Sequence, residues 1–93
     1  MKHCLLSQAE VEISQAALWY DLRSPGIGER FLEAFEAALA EVIASPNRYA
    51  YFPGVEELGV RYRQLRRFPY VILYKIEHDE IVVTSVSPTA RLK

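Results

Sequence analysis

A single cysteine, Cys4, and two histidines, His3 and His78, leave this chain little from which to build a disulfide, a zinc site or an acid–base pair. Cys4 has no partner for an intramolecular disulfide, and no Cys/His cluster has zinc spacing. Cys4 opens an apolar run, where a small buried hydrophobe fits. No order of Ser, His and Asp, or of Cys and His, suggests a nucleophilic triad, and no glycine-rich phosphate loop is present. No apolar run is long enough to cross a bilayer, and the first residues do not read as a signal peptide. The formal net charge is -1, whereas a general nucleic-acid binder is usually basic overall. These absences lead us to expect a cytoplasmic protein with no cofactor, no metal site, no membrane segment and no assembled catalytic set. Internal repeats, linkers and low-complexity segments are missing as well, so residues 1–93 read as one small domain.

What the chain does have is enough apolar material for a core: 51% hydrophobic residues against 25% charged. Its charge is unevenly placed. Residues 1–48 carry seven acids and four bases, and residues 49–93 five acids and seven bases. The later part of the chain should therefore build a locally positive face.

His3 to Leu6 reads as a short first strand. Ser7 and Glu10 have the spacing of a capping box, so a helix should start there, with Ile13, Ala16, Ala17 and Tyr20 on its buried face. Ser24-Pro25-Gly26 breaks it, since proline cannot continue a helix and glycine costs backbone entropy. A second helix restarts near Ile27, with Leu32, Phe35, Leu39 and Val42 as its stripe and Phe31, Ala38 and Ile43 alongside; Ser45-Pro46 ends it. The short connection predicts an antiparallel helical hairpin. After a loop over 47–59, strands are expected at about Val60–Phe68, Tyr70–Ile76 and Ile81–Val86, paired consecutively and antiparallel. Alternating Tyr70, Ile72, Tyr74 and Ile76 should form one packed pleat face. The order β-α-α-β-β-β gives an α+β, two-layer fold: an N-terminal helical hairpin packed on an antiparallel sheet.

Arg61, Arg63, Arg66 and Arg67 crowd into VRYRQLRRFPYVILYKI, residues 60–76. Arginine is suited to bidentate contacts with carboxylate or phosphate. Charge on a strand also serves simply to keep a sheet edge from aggregating, and both roles stay open here. Strict alternation divides the arginines between the two faces; a bulge near Leu65 would regroup them.

The ordered set of Trp19-Tyr20, residues 24–31 (SPGIGERF), residues 45–49 (SPNRY), the Arg66-Arg67-Phe68-Pro69-Tyr70 turn, an aliphatic-aromatic strand, the acidic turn Glu77-His78-Asp79-Glu80 and the Val-rich strand Ile81–Val86 resembles the RelE/ParE superfamily of toxins from bacterial toxin–antitoxin operons, the ParE-like branch above all. The resemblance covers nearly the whole chain and implies the same fold. It further implies a growth-inhibiting toxin, of the kind also called a plasmid stabilisation protein, that binds and inhibits DNA gyrase, a type II topoisomerase. Such a toxin is neutralised by a cognate antitoxin in a toxin–antitoxin hetero-oligomer. Recognition by surface then asks for an apolar groove with arginine anchors. Trp19, Tyr20 and Tyr49, with Tyr51 and Phe52, are the candidate groove residues; Arg61, Arg63, Arg66, Arg67 and Arg91 are the candidate anchors. The RelE-like alternative is a ribosome-dependent endoribonuclease whose partners are the ribosome and mRNA. The tail Ser87-Pro88-Thr89-Ala90-Arg91-Leu92-Lys93 departs from it, having no Tyr or His. A degenerate, non-toxic family member is the other alternative.

Overall fold

The structure, a computed structural model, describes residues 1–92, with side chains through Ala90. Strand β1, Lys2–Leu5, runs directly into helix α1, Ser7–Arg23, and α2 follows at Ile27–Ala44. A loop with one short helical turn at Glu56–Leu58 leads to β2, Arg61–Gln64; then come β3, Tyr70–Glu77, and β4, Glu80–Pro88. The expected β-α-α-β-β-β order and α+β class are observed. The strand order is β1-β4-β3-β2. β2, β3 and β4 pair antiparallel in sequence, as anticipated, but β1 lies parallel beside β4, so the sheet is mixed. Parallel pairing needs a long crossover, and the helical hairpin, which follows β1, supplies one.

Both helices cover a single face of the sheet. Ile72, Tyr74, Ile81, Val83 and Val86 meet Ile13 and Ala16 of α1 and Phe31, Phe35, Ala38 and Val42 of α2, all at most 8% exposed. The pleat alternation predicted for β3 holds, with Tyr70 and Ile76 packed at the margins of this core. The stripe on α2 sits differently from expectation: Gly28, Phe31, Phe35, Ala38 and Val42 are buried, whereas Leu32 and Leu39 are only partly so. Phe31 turns inward because aromatic rings of α1 and the β2–β3 turn meet it there.

The capping box at Ser7 does not form. Leu6 occupies the cap position, with no side-chain hydrogen bond, and its N–H donates to the Val83 carbonyl at 3.0 Å. The sheet ladder thus continues to the residue where the helix starts and leaves no room for a separate cap. At the hairpin turn, Gly26 takes a left-handed φ of 95° and Asp21 supplies the cap from the other helix. Its Oδ1 accepts from the N–H groups of Gly26 and Gly28 at 3.1 and 2.8 Å, satisfying donors that a helix start leaves free. Gly28 presses on α1 so closely that a Cβ would strike the Ala17 carbonyl and the Asp21 carboxylate.

β4 carries a bulge opposite Leu73/Tyr74. There the Ser85 hydroxyl and the Val86 N–H both donate to Glu12 Oε1 of α1, at 2.9 and 3.0 Å. The buried Ser87 hydroxyl lies 2.6 Å from that of Ser85, so its polar atom is partnered.

Gly28→Ala should destabilise the fold by about 1–3 kcal/mol, the usual cost of forcing an atom into a filled contact. Thermal melting checks this: an unchanged melting temperature would mean that the helices separate freely at this point.

Candidate functional site: two grooves flanking the helical hairpin

The arginine segment does not form one long strand. β2 ends at Gln64, because the N–H of Leu65 donates to the Tyr70 carbonyl at 2.9 Å and closes a turn. Leu65 is buried, and Arg66 and Arg67 stand in the turn rather than on the ladder. Arg67 has φ of 68°, a left-handed backbone that costs a side-chain-bearing residue roughly 1–2 kcal/mol. No bulge occurs near Leu65; the turn itself brings the later arginines round to the helix side.

Arg61 and Arg63 lie opposite Tyr74 and Ile72, whose side chains enter the core, so both arginines point to the helix-covered face. Arg61 donates to the Tyr49 and Asn47 carbonyls at 2.6 and 3.3 Å and to the Tyr51 hydroxyl at 3.0 Å, with its guanidinium 4.2 Å from the Tyr51 ring centre. The loop that receives it is pinned from beneath, where the Tyr74 hydroxyl donates to the Pro46 carbonyl at 2.8 Å. Burial pushes the Tyr74 phenol up to about 12, so it stays a neutral donor. Arg61 and Tyr49 are therefore tied into the scaffold. Phe52 is engaged elsewhere, edge-on to Tyr62 at 5.6 Å.

Arg63 donates from Nε and Nη2 to Glu41 Oε1 of α2, at 3.2 and 2.6 Å, and Arg66 reaches Oε2 of the same carboxylate at 3.3 Å. The hydrogen bonds from Arg63 hold Glu41 below the usual carboxylate range, and the charges of Arg63, Arg66 and Arg48 act in the same direction. Arg63 is itself pushed upward, first by its hydrogen bonds to Glu41. Its side chain is 19% exposed, that of Arg66 78%. Arg66 thus contributes little to stability through this contact, since exposed ion pairs rarely do.

Between α2 and the turn lies a groove of about 650 Å³. Ala34, Ala37, Ala38 and Phe68 give it an apolar floor, and Arg30, Arg63, Arg66 and Arg67 outnumber Glu33 and Glu41 around it. Sequence reasoning found three of these four arginines. It missed Arg30, Phe68 and Glu41, whose positions depend on the packing of α2 against the turn.

Trp19 and Tyr20 line a different cleft, about 460 Å³, between α1 and the end of the sheet. Its other walls include Glu12, Pro69, Tyr70 and Pro88. Trp19 is 47% exposed, with the Arg23 guanidinium 3.5 Å from its ring centre. Tyr20 packs within 5.0–6.2 Å of Trp19, Phe31, Phe68 and Tyr70, and burial raises its pKa. The candidate residues thus fall into three places: Arg63, Arg66 and Arg67 in the groove, Arg61 and Tyr49 braced beside it, and Trp19 and Tyr20 in the cleft. The side chain of Arg91 lies outside the described residues.

His3 is on β1, at the sheet edge opposite the arginine-bearing β2, and His78 is in the exposed β3–β4 turn. Neither lies beside the arginines. No helix among the described residues is long and apolar enough to cross a membrane.

A family model described as the ParE toxin of type II toxin–antitoxin systems, parDE, matches residues 5–92. No curated protein matches the chain. Among solved structures, one described as the chromosomal ParDE TA system from P. aeruginosa has a TM-score of 0.82 and covers 95% of each chain at 18% identity. At that identity the structural likeness concerns the fold.

Glu41 has its pKa depressed in the folded state. Its stabilising contribution should be complete above the ordinary glutamate value of about 4.3 and fade as pH falls through the lower folded value. In melting curves at stepped pH, the parent should exceed Glu41→Gln in stability at neutral pH, with the gap closing in acid. A gap independent of pH would dismiss the arginine clamp as its cause.

Proposed function

The chain belongs to the ParE family of type II toxin–antitoxin toxins, and we propose that it acts by binding and inhibiting DNA gyrase and is held inactive by a cognate antitoxin docked on its helical hairpin. The observation that carries the antitoxin half of this reading is the groove between α2 and the 65–70 turn. Alanines on α2 leave space for a peptide backbone or small side chains, and the surplus of arginines supplies anchors for carboxylates. Arg63 and Arg66 already share Glu41, whereas no ion pair involves Arg30 or Arg67 among the described residues. An antitoxin segment with small apolar residues and acidic side chains suits this surface. The protein works in the cytoplasm, where gyrase is found.

The gyrase half rests on family membership and on the placement of the titratable groups. Cleavage of RNA by 2′-OH attack needs charge stabilisation and proton transfer assembled at one phosphate. Here the arginines next to Tyr49 and Tyr51 are taken up by carbonyls and Glu41, and both histidines stand elsewhere. A protein-binding poison requires no such assembly. Purified toxin should inhibit gyrase-catalysed supercoiling, and primer extension on translating ribosomes should show no new cuts. Codon-dependent cuts requiring Arg61 or Arg67 would replace this reading with the ribonuclease one.

Arg67→Lys keeps the charge and loses the planar fork. It should weaken antitoxin binding about thirtyfold, corresponding to about 2 kcal/mol for one lost anchor, while the melting curve of the free toxin stays put. A binding isotherm equal to the parent's would leave Arg67 as ordinary surface charge.

A further inference from the structure

The cleft on the α1 side has the opposite electrostatic character to the arginine groove. Its described lining contains one charged group, the Glu12 carboxylate, and no cation. Oε1 of that carboxylate is taken by Ser85 and Val86, which fix the side chain in place. Oε2 accepts no hydrogen bond among the described residues. The same cleft is lined by Trp19, Tyr20 and Tyr70, with Pro69 and Pro88 completing the apolar walls. Aromatic faces attract cations through their quadrupole, and a fixed carboxylate adds a charge-assisted hydrogen bond. Trp19 already holds one cation of the chain itself outside this lining, Arg23, whose guanidinium lies 3.5 Å from its ring centre.

We propose that this cleft is a receptor for one cationic side chain, a lysine or arginine carried by a protein partner, with Glu12 as counter-ion and Trp19, Tyr20 and Tyr70 as its walls. The volume, about 460 Å³, is at the small end of ligand sites and takes a single long side chain rather than a helix. Charge decides between occupants. An acidic segment would meet Glu12 as a like charge, and a purely apolar one would leave Oε2 without a partner in a site it had closed to water. A cation satisfies both the carboxylate and the rings. Glu12 comes from α1, and the bulge that orients it comes from β4, so the receptor exists only in the folded chain.

The two recognition points differ in charge and lie on different sides of the hairpin. A test on isolated protein with a small probe therefore stands apart from any result on gyrase or antitoxin. Isotope-labelled protein is titrated with N-acetyl-arginine amide and, in parallel, with the citrulline amide, which has nearly the same shape and no charge. The arginine probe should shift the Trp19 indole N–H and the Val86 amide saturably, with a dissociation constant of about millimolar order for a ligand this small. The citrulline probe should bind at least about tenfold more weakly, since it lacks the charge that Glu12 recognises. Glu12→Gln keeps an oxygen for Ser85 and Val86 and should lose a similar factor for arginine. Should that variant melt early, Trp19→Leu removes an aromatic wall without touching the bulge and should also weaken binding. Equal binding of the two probes, parent-like affinity in the folded variants, or no saturable shift at these nuclei would each overturn the proposal.

Discussion

Four rings hold the two layers together at the end where both grooves open. Tyr20 of α1 stacks on Phe31 of α2 at 5.7 Å and meets Phe68 and Tyr70, on either side of Pro69, at 5.0 and 6.2 Å. Phe31 in turn meets Phe68 and Tyr70 edge-on at 5.3 and 5.0 Å. Such pairs contribute about 0.5–1.5 kcal/mol each beyond the area they bury. Their geometric effect is the larger one. Phe68 faces the arginine groove and Tyr70 the cleft, so a single turn sets the walls of both. If the cluster loosened, neither surface would keep its shape, whatever the charges on its rim.

The helices were legible because their signals are local. Ser24-Pro25-Gly26 divides them where expected, and the alternation of Tyr70, Ile72, Tyr74 and Ile76 marks the core face of β3. The arginine segment was legible as chemistry but not as shape. Alternation extends β2 to Phe68, whereas the backbone turns after Gln64 because Leu65 spends its N–H on Tyr70 and its side chain in the core. Glu41 could not be picked from several similar glutamates on α2, since its arginines lie 22 and 25 residues away in sequence. Glu12 was hidden in the same manner, its partners being more than 70 residues distant. What a single sequence withholds here is the pairing of remote charges, which only the packed layers bring together.

Charge on the edge strand β2 does two things at once. Arg61 and Arg63 point inward and are fully engaged, a placement that also makes the edge a poor template for a second sheet. The bridge between Tyr51 and Arg61 covers part of the same edge. Arg63 still lines the groove beyond, where it is joined by Arg30 of α2 and by Arg66 and Arg67, which the turn carries off the ladder and out to solvent. Arginines that brace the scaffold and arginines exposed to solvent are thus separated within seven residues of one sequence motif.

The parallel pairing of β1 with β4 bears on how this protein is born. β1 is made well before its ladder partner, Glu80–Pro88, with both helices, β2 and β3 between them. The helical hairpin is built from near contacts and can form early, but the β1–β4 pairing joins segments far apart in sequence and pays a loop-closure entropy before any reward. The carboxylate of Glu12 likewise waits for Ser85 and Val86. A nascent chain stopped short of β4 therefore has no closed sheet and lacks Val86 and Pro88 from the wall of the α1-side cleft. The cleft on the α1 side can therefore be completed only once β4 has been made and has folded back onto α1.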